Sequence, residues 1–170
     1  MRFPGISNNS DIRKLSTNLI PFPRVHFITQ GQAPLVARAS TSYITLDEKQ
    51  LTCDLFDPRS FICETNPAHG KFLTGSILIR GESVSAGEVE RQLAALSDKR
   101  SSQFVEWIPN RLMNSICSVA PPFKTASMSG TSLFNATSIS ETMRRVLENF
   151  QKMFRKKAFL HQYTEEGMDL

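Results

Sequence analysis

The stretch Phe72-Leu-Thr-Gly-Ser-Ile-Leu-Ile79 is almost continuously apolar and contains neither a charged residue nor a proline. A run of this length is typical of a strand that is buried on both faces of a sheet. Ser85-Ala-Gly-Glu88 follows, with a glutamate three residues after a capping serine. This capping-box spacing predicts a helix start, and Val89, Leu93 and Leu96 then form the apolar side of the helix.

Similar signals lie on both sides of this strand and helix. Upstream, the predicted elements are a helix that begins after Asp11 and ends before Pro21, a strand over Arg24–Ile28, and a short helix opened by the capping box of Asp47 and Gln50. Downstream, they are strands over Phe104–Ile108 and Ser127–Phe134, and a long helix capped by Thr137 or Ser138. This mixed order of helices and strands predicts an α+β or layered α/β domain.

Composition excludes several classes of protein. The 170 residues are 40% hydrophobic, which is too apolar for a disordered chain. No stretch approaches the ~18 uninterrupted apolar residues of a membrane helix, so no membrane partner is expected. Cys53, Cys63 and Cys117 are odd in number and widely spaced, which favours free thiols in a reducing compartment.

The net charge of +4 raises the alternative of a basic nucleic-acid-binding domain. The dense basic runs are Arg144-Arg145 and Arg155-Lys156-Lys157, and both lie in the predicted long helix. Because Glu141 and Glu148 lie close by in sequence, a solvated helix face is the preferred interpretation of these runs. Nucleic acid is therefore a disfavoured partner and stays only as the alternative from a different class of function.

Residues with catalytic or metal-binding chemistry are sparse. His26, His69 and His161 are far apart, and no cysteine or histidine pair has the close spacing of a metal site. Neither a GxGxxG nor a GxxxxGK[ST] phosphate loop occurs. Trp107 lies in Phe-Val-Glu-Trp-Ile-Pro-Asn, where it is either a core residue or part of an edge at which a partner docks.

Several blocks of sequence resemble tubulin, and they run in order from the first residues to the last. They are Arg2-Phe-Pro-Gly5, Asp11-Ile-Arg-Lys-Leu15, Asn18-Leu-Ile-Pro-Phe-Pro-Arg-Val-His-Phe27, Ala33-Pro-Leu35, Phe104-Val-Glu-Trp-Ile-Pro-Asn110, Lys157-Ala-Phe-Leu-His161 and Glu166-Gly-Met-Asp169. The sequence of the block that contains Trp107 resembles the beta subunit. Lys14 also favours beta, because the alpha subunit carries there the glutamate that activates water on its neighbour's nucleotide.

The resemblance covers only the latter part of a tubulin, and it implies a specific fold. We expect residues 1–135 to form the intermediate domain, a two-layer sandwich with a mixed four-stranded sheet, and residues 136–170 to begin the C-terminal helical region. The nucleotide-binding domain of the family is not among the matched blocks. The chain alone is therefore expected to bind no cofactor, although GTP with Mg is implied for the family, and to have no catalytic residue and no enzyme activity.

The resemblance also implies partners and interface residues. Phe3, Pro4, Gly5, Trp107, Pro109 and Asn110 would lie on the longitudinal interface, Asp11 and Lys14 would face the partner's nucleotide, and Arg38 and Tyr43 would lie in the lateral loop. The implied partners are alpha-tubulin and neighbouring tubulin subunits in microtubules. The implied location is the cytoplasm and its cytoskeleton.

The function expected from this resemblance is a structural one, that of a beta-tubulin-like subunit fragment related to microtubule assembly. The sequence departs from the tubulin pattern at Ile28-Thr-Gln-Gly-Gln32, at Ala39 and at Gln162. These departures leave a regulatory or inactive tubulin-binding paralogue as an alternative. Because the matched part would normally bury apolar surface against the rest of a tubulin, we also expect the isolated chain to be poorly soluble or to need a partner.

Overall fold

A mixed four-stranded sheet organises the part of the chain that ends at Ser138. The structure is a computed structural model, and it describes residues 11–37, 40, 45–121 and 126–169. The strands within these residues are β1 (Ile28–Ala33), β2 (Phe72–Gly81), β3 (Leu112–Cys117) and β4 (Met128–Ala136), in the spatial order β1-β4-β2-β3. Strand β4 pairs antiparallel with β1 and with β2, whereas β2 and β3 are parallel.

Strand β2 is the apolar run on which the fold prediction rests, and it is buried along most of its length. Its pairing with β4 shifts register between Phe72 and Thr74. A shift of this kind changes which residues share a face of the sheet. As a result, Phe72 packs in the same core cluster as Ile77 and Ile79, while Thr74 lies on the opposite face.

The helices of this part are α1 (Ile12–Leu19), α2 (Glu48–Asp54) and α3 (Ala86–Lys99). Leu51 of α2, Leu55 just after α2 and Val89 of α3 are fully buried in the core cluster. The predicted α+β class with a mixed four-stranded sheet and packed helices is therefore confirmed.

Both predicted capping positions are correct, but the capping boxes are not formed. Asp47 and Ser85 occupy the N-cap positions of α2 and α3, yet neither side chain makes a capping hydrogen bond. The amide of Gln50 donates instead to the Asp54 carboxylate at 2.7 Å. Glu88 accepts from the Gln92 amide at 2.6 Å, one helical turn further on. Gln50 and Glu88 therefore bond to residues four positions further along their helices, and not back to the N-cap residue as in a capping box.

Two strand predictions need correction. The segment Arg24–Ile28 is not a strand, since β1 begins only at Ile28. The predicted strand over Phe104–Ile108 is wrong, because only a single bridge joins Phe104 to Phe72 and turns follow it. The aromatic residues of that segment do not pair in a sheet: Phe104 packs in the core, and Trp107 is exposed.

The part of the chain from Ile139 onward is a separate compact unit. It contains α4 (Ile139–Arg155) and α5 (Leu160–Glu165). The predicted long helix is present as α4, and it carries large apolar side chains that are each 43–62% exposed: Met143, Val146, Leu147, Phe150, Met153 and Phe154. The domain boundary expected between residues 135 and 136 stays a prediction.

Candidate functional site

Asp11 and Lys14, which are predicted to face the partner's nucleotide, lie at the start of helix α1. Asp11 is its N-cap, and the carboxylate accepts a hydrogen bond from the Arg13 backbone at 3.4 Å. Lys14 lies in the first turn and is exposed. Residues three apart lie on neighbouring positions of a helix surface, so the Asp11 and Lys14 side chains share one side of the start of α1.

Trp107 is 60% exposed, so it is not the core residue that its apolar neighbours would permit. Its ring packs against Phe22 at a centroid distance of 5.4 Å with an interplanar angle of 45°. Phe22 lies in the connection between α1 and β1 and is itself 43% exposed. The two rings form an exposed aromatic pair, of the residue types that are enriched in the cores of protein interfaces.

The loop that presents Trp107 is fixed at both ends to strand β2. The Val105 amide donates to the Phe72 carbonyl at 3.1 Å, and the Gly75 amide donates to the Arg111 carbonyl at 2.7 Å. The Arg111 guanidinium closes the loop, since it donates to the Val105 carbonyl at 3.4 Å. Hydrogen bonds to β2 therefore fix both ends of the loop that carries Trp107.

Pro109 and Asn110 complete the turn after Trp107, and both are exposed. Asn110 has a positive φ of 50°. Asparagine tolerates this left-handed conformation better than most residues, and Pro109 fixes the backbone just before it. The turn directs the chain from the exposed tryptophan back into β3.

The remaining predicted site residues lie outside the described residues. They are Phe3, Pro4 and Gly5 of the longitudinal set and Arg38 and Tyr43 of the lateral loop. Their roles stay predictions.

An open groove lies beside the segment that follows β1. It has a volume of about 310 Å³. It is lined by Gln32, Leu78, Arg80, Ser129 and Thr131 on the strands, and by Pro34, Val36, Pro121 and Ala126 on the flanking segments. The strand residues lie on the face of the sheet opposite the core cluster.

Other chemistry that the sequence raised finds little support in the described part of the chain. Within it, no three His, Cys, Asp or Glu side chains come together in a way that could hold a metal ion. The three cysteines are free and half-buried. Across the described ranges, no helix is both long and apolar enough to cross a membrane.

The fold and the sequence together define a domain of the tubulin C-terminal type, because the family model for the tubulin C-terminal domain matches residues 23–148. The chain belongs to the tubulin family. It is 50% identical over 169 residues to the tubulin beta chain of Cicer arietinum, the tubulin beta-1 chain of Glycine max and the tubulin beta-3 chain of Zea mays. The resemblance to the beta subunit is thereby confirmed.

These similarities extend over 99% of this chain but only 37% of each relative. The chain therefore spans 37% of the length of the beta chains that it matches.

Phe22 is the residue beside Trp107 that the sequence analysis did not name as a site residue. It lies in Pro21-Phe22-Pro23, and an aromatic residue between two prolines is poorly placed to enter a helix or a sheet core. That pattern is the signal by which its exposure could have been recognised.

Proposed function

We propose that this chain acts as a structural, beta-tubulin-like part of the cytoskeleton and docks end-on against a neighbouring alpha-tubulin subunit. The observation that carries this proposal is the 50% identity to beta chains along 99% of the chain. The proposed location is the cytoplasm, where microtubules assemble.

The proposed docking face consists of Asp11 and Lys14 on α1, the Phe22–Trp107 pair, and the turn at Pro109 and Asn110. It combines exposed aromatic rings with one exposed cation, which is a composition suited to a protein interface. Because both ends of the Trp107 loop are bonded to β2, little conformational entropy is lost when the loop is covered.

Lys14 gives this face a defined electrostatic role. An ammonium group attracts phosphate oxygens, so Lys14 is suited to face a nucleotide held by the partner. An ammonium group has only N–H donors and no acceptor, so it cannot take up the proton of an attacking water. We therefore propose a binding role for Lys14 and no catalytic role.

GTP with Mg is a property of the tubulin family, and the residues of this chain do not fit that group. The sequence has no glycine-rich phosphate loop. The described residues also offer no cluster of carboxylates that could hold Mg. We propose that any nucleotide at the docking face belongs to the partner.

Titration of GTP and Mg into the isolated chain is therefore expected to give no binding heat in the micromolar range. Intact tubulin freed of its bound nucleotide provides the positive control. A micromolar dissociation constant for the chain alone would show that its own residues form a nucleotide site.

Reversal of the Lys14 charge is expected to weaken docking to tubulin dimers roughly tenfold, because a glutamate would repel the phosphates of the partner's nucleotide. The measurement is the dissociation constant of labelled Lys14→Glu chain for tubulin dimers at low and at high salt. The wild-type chain should lose affinity with salt, and the variant should lose less.

Lys49→Glu is the matched control, since Lys49 is also an exposed helical lysine but lies on α2. Equal losses in both variants would mean that net charge, not Lys14, governs binding.

Sedimentation with growing microtubules distinguishes the structural role from its regulatory alternative. Incorporation along polymers supports the structural role, whereas inhibition at substoichiometric amounts would replace it with a regulatory one.

A further inference from the structure

Two buried polar side chains reach from the sheet to the chain segment that carries Phe22. The Thr74 hydroxyl donates to the Leu19 carbonyl at 2.6 Å. The Asn135 side-chain amide donates to the same carbonyl at 3.0 Å and to the Val25 carbonyl at 3.0 Å. Leu19 is the last residue of α1, and helix ends leave such carbonyls without a partner inside the helix.

The two donors form a single unit on the sheet. Thr74 of β2 and Asn135 of β4 are directly opposite each other in the ladder. Thr74 is 4% exposed and Asn135 is fully buried. Hydrogen bonds at such positions do not compete with bulk water, so they hold their acceptors firmly.

The orientation of the Asn135 amide follows from its surroundings. Both of its protons go to backbone carbonyls, and its oxygen has no hydrogen-bond partner among the residues that the structure describes. The reverse orientation would set that oxygen against two carbonyl oxygens, which repel it. The side chain is therefore placed as a double donor.

The segment between these two carbonyls has limited means of bonding to itself. Pro21 and Pro23 have no backbone N–H to donate. The Val25 amide reaches the Phe22 carbonyl only at 3.4 Å. Phe22 lies at the middle of this segment, against Trp107.

From these contacts we infer that Thr74 and Asn135 are positioning residues: they fix both ends of the segment from Leu19 to Val25, and so they hold Phe22 against Trp107 before any partner binds. The role of this aromatic pair in docking rests on the proposed function, whereas its positioning does not. A surface that is ordered in advance loses less entropy on binding.

Trp107 provides a direct readout, because it is the only tryptophan in the sequence. In Thr74→Val the shape is kept and the donor is lost. We expect its Trp107 emission to shift to the red and its quenching by acrylamide to rise toward that of Phe22→Ala without reaching it, because Asn135 still donates to the Leu19 and Val25 carbonyls. Thr74→Ser keeps the hydroxyl and should restore the wild-type emission.

Thr29→Val is the matched control. Thr29 is buried on β1 and donates its hydroxyl to the Phe134 carbonyl at 3.0 Å, away from the Phe22 segment. It should lower the melting temperature as Thr74→Val does, without a change in Trp107 emission. Wild-type emission in a folded Thr74→Val chain would overturn the inference.

A second measurement covers the case in which Thr74→Val does not fold. In a urea titration of the wild-type chain, Trp107 emission should change only in the main unfolding transition that circular dichroism records. An earlier change in emission would mean that the Phe22 segment is not anchored. Tubulin binding is measured separately, so a correct emission pattern without wild-type binding would reject the proposed function and leave the positioning role intact.

Discussion

Replacement of Phe134 by alanine should lower the free energy of unfolding by about 3–5 kcal/mol, the largest effect that we expect from one substitution. Phe134 is fully buried on the interior strand β4. Its ring lies 4.8 Å from that of Phe72, 4.9 Å from Phe56 and 5.8 Å from Phe61. Removing it leaves a cavity between rings that belong to different elements and cannot readily collapse onto each other.

Urea unfolding followed by circular dichroism provides the measurement. Because small domains are stable by only about 5–15 kcal/mol, Phe134→Ala is expected to unfold at a much lower urea concentration. Phe27→Ala is the control, since Phe27 is 54% exposed and its truncation should change stability little. Similar midpoints for the two variants would show that Phe134 is not a central residue of the core.

The buried strand β2 could be predicted from sequence because burial of both faces removes polar residues from nearly every position. The register shift after Phe72 could not be predicted. It depends on how β4 pairs with β2, and nothing local to residues 72–79 signals it. Helix starts were predictable for a different, local reason, since Asp11, Asp47 and Ser85 have side chains that favour a non-helical cap position.

The wrong strand at Phe104–Ile108 shows the limit of local propensity. Its residues favour strands, but tertiary contacts decide otherwise. The Val105 amide and the Arg111 carbonyl both bond to β2, at Phe72 and Gly75. Positions 105 and 111 are six residues apart but their partners on β2 are three apart, so the residues between them loop out and expose Trp107.

Only part of the proposed docking face could be named from the sequence. Lys14, Trp107, Pro109 and Asn110 followed from the resemblance to tubulin, and the structure leaves all four exposed. The supporting pair of Thr74 and Asn135 could not be recognised, because a threonine and an asparagine in strands usually indicate a solvated face. Their positioning role follows only from the strand register, which places Thr74 opposite Asn135 and brings both side chains to the Leu19 carbonyl at the end of α1.

Replacement of Trp107 by alanine should raise the dissociation constant for tubulin dimers roughly thirtyfold, which corresponds to about 2 kcal/mol. Tryptophan is among the residues that most often dominate binding energy at interfaces. Here its ring is exposed, is braced by Phe22, and is carried by a loop with both ends bonded to the sheet. It can therefore bury a large apolar area on docking without first being ordered.

Two further variants make this prediction specific. Trp107→Phe keeps an aromatic ring on Phe22 and should lose less affinity than Trp107→Ala. Ile62→Ala removes a side chain that is 64% exposed and lies outside the proposed face, so its affinity should equal that of the wild-type chain. If Ile62→Ala weakened binding as much as Trp107→Ala, the docking surface would have to be sought elsewhere. Because Trp107 is 60% exposed and its ring packs against the partly exposed Phe22, its removal should change the unfolding midpoint little, and a loss of affinity can then be assigned to the interface itself.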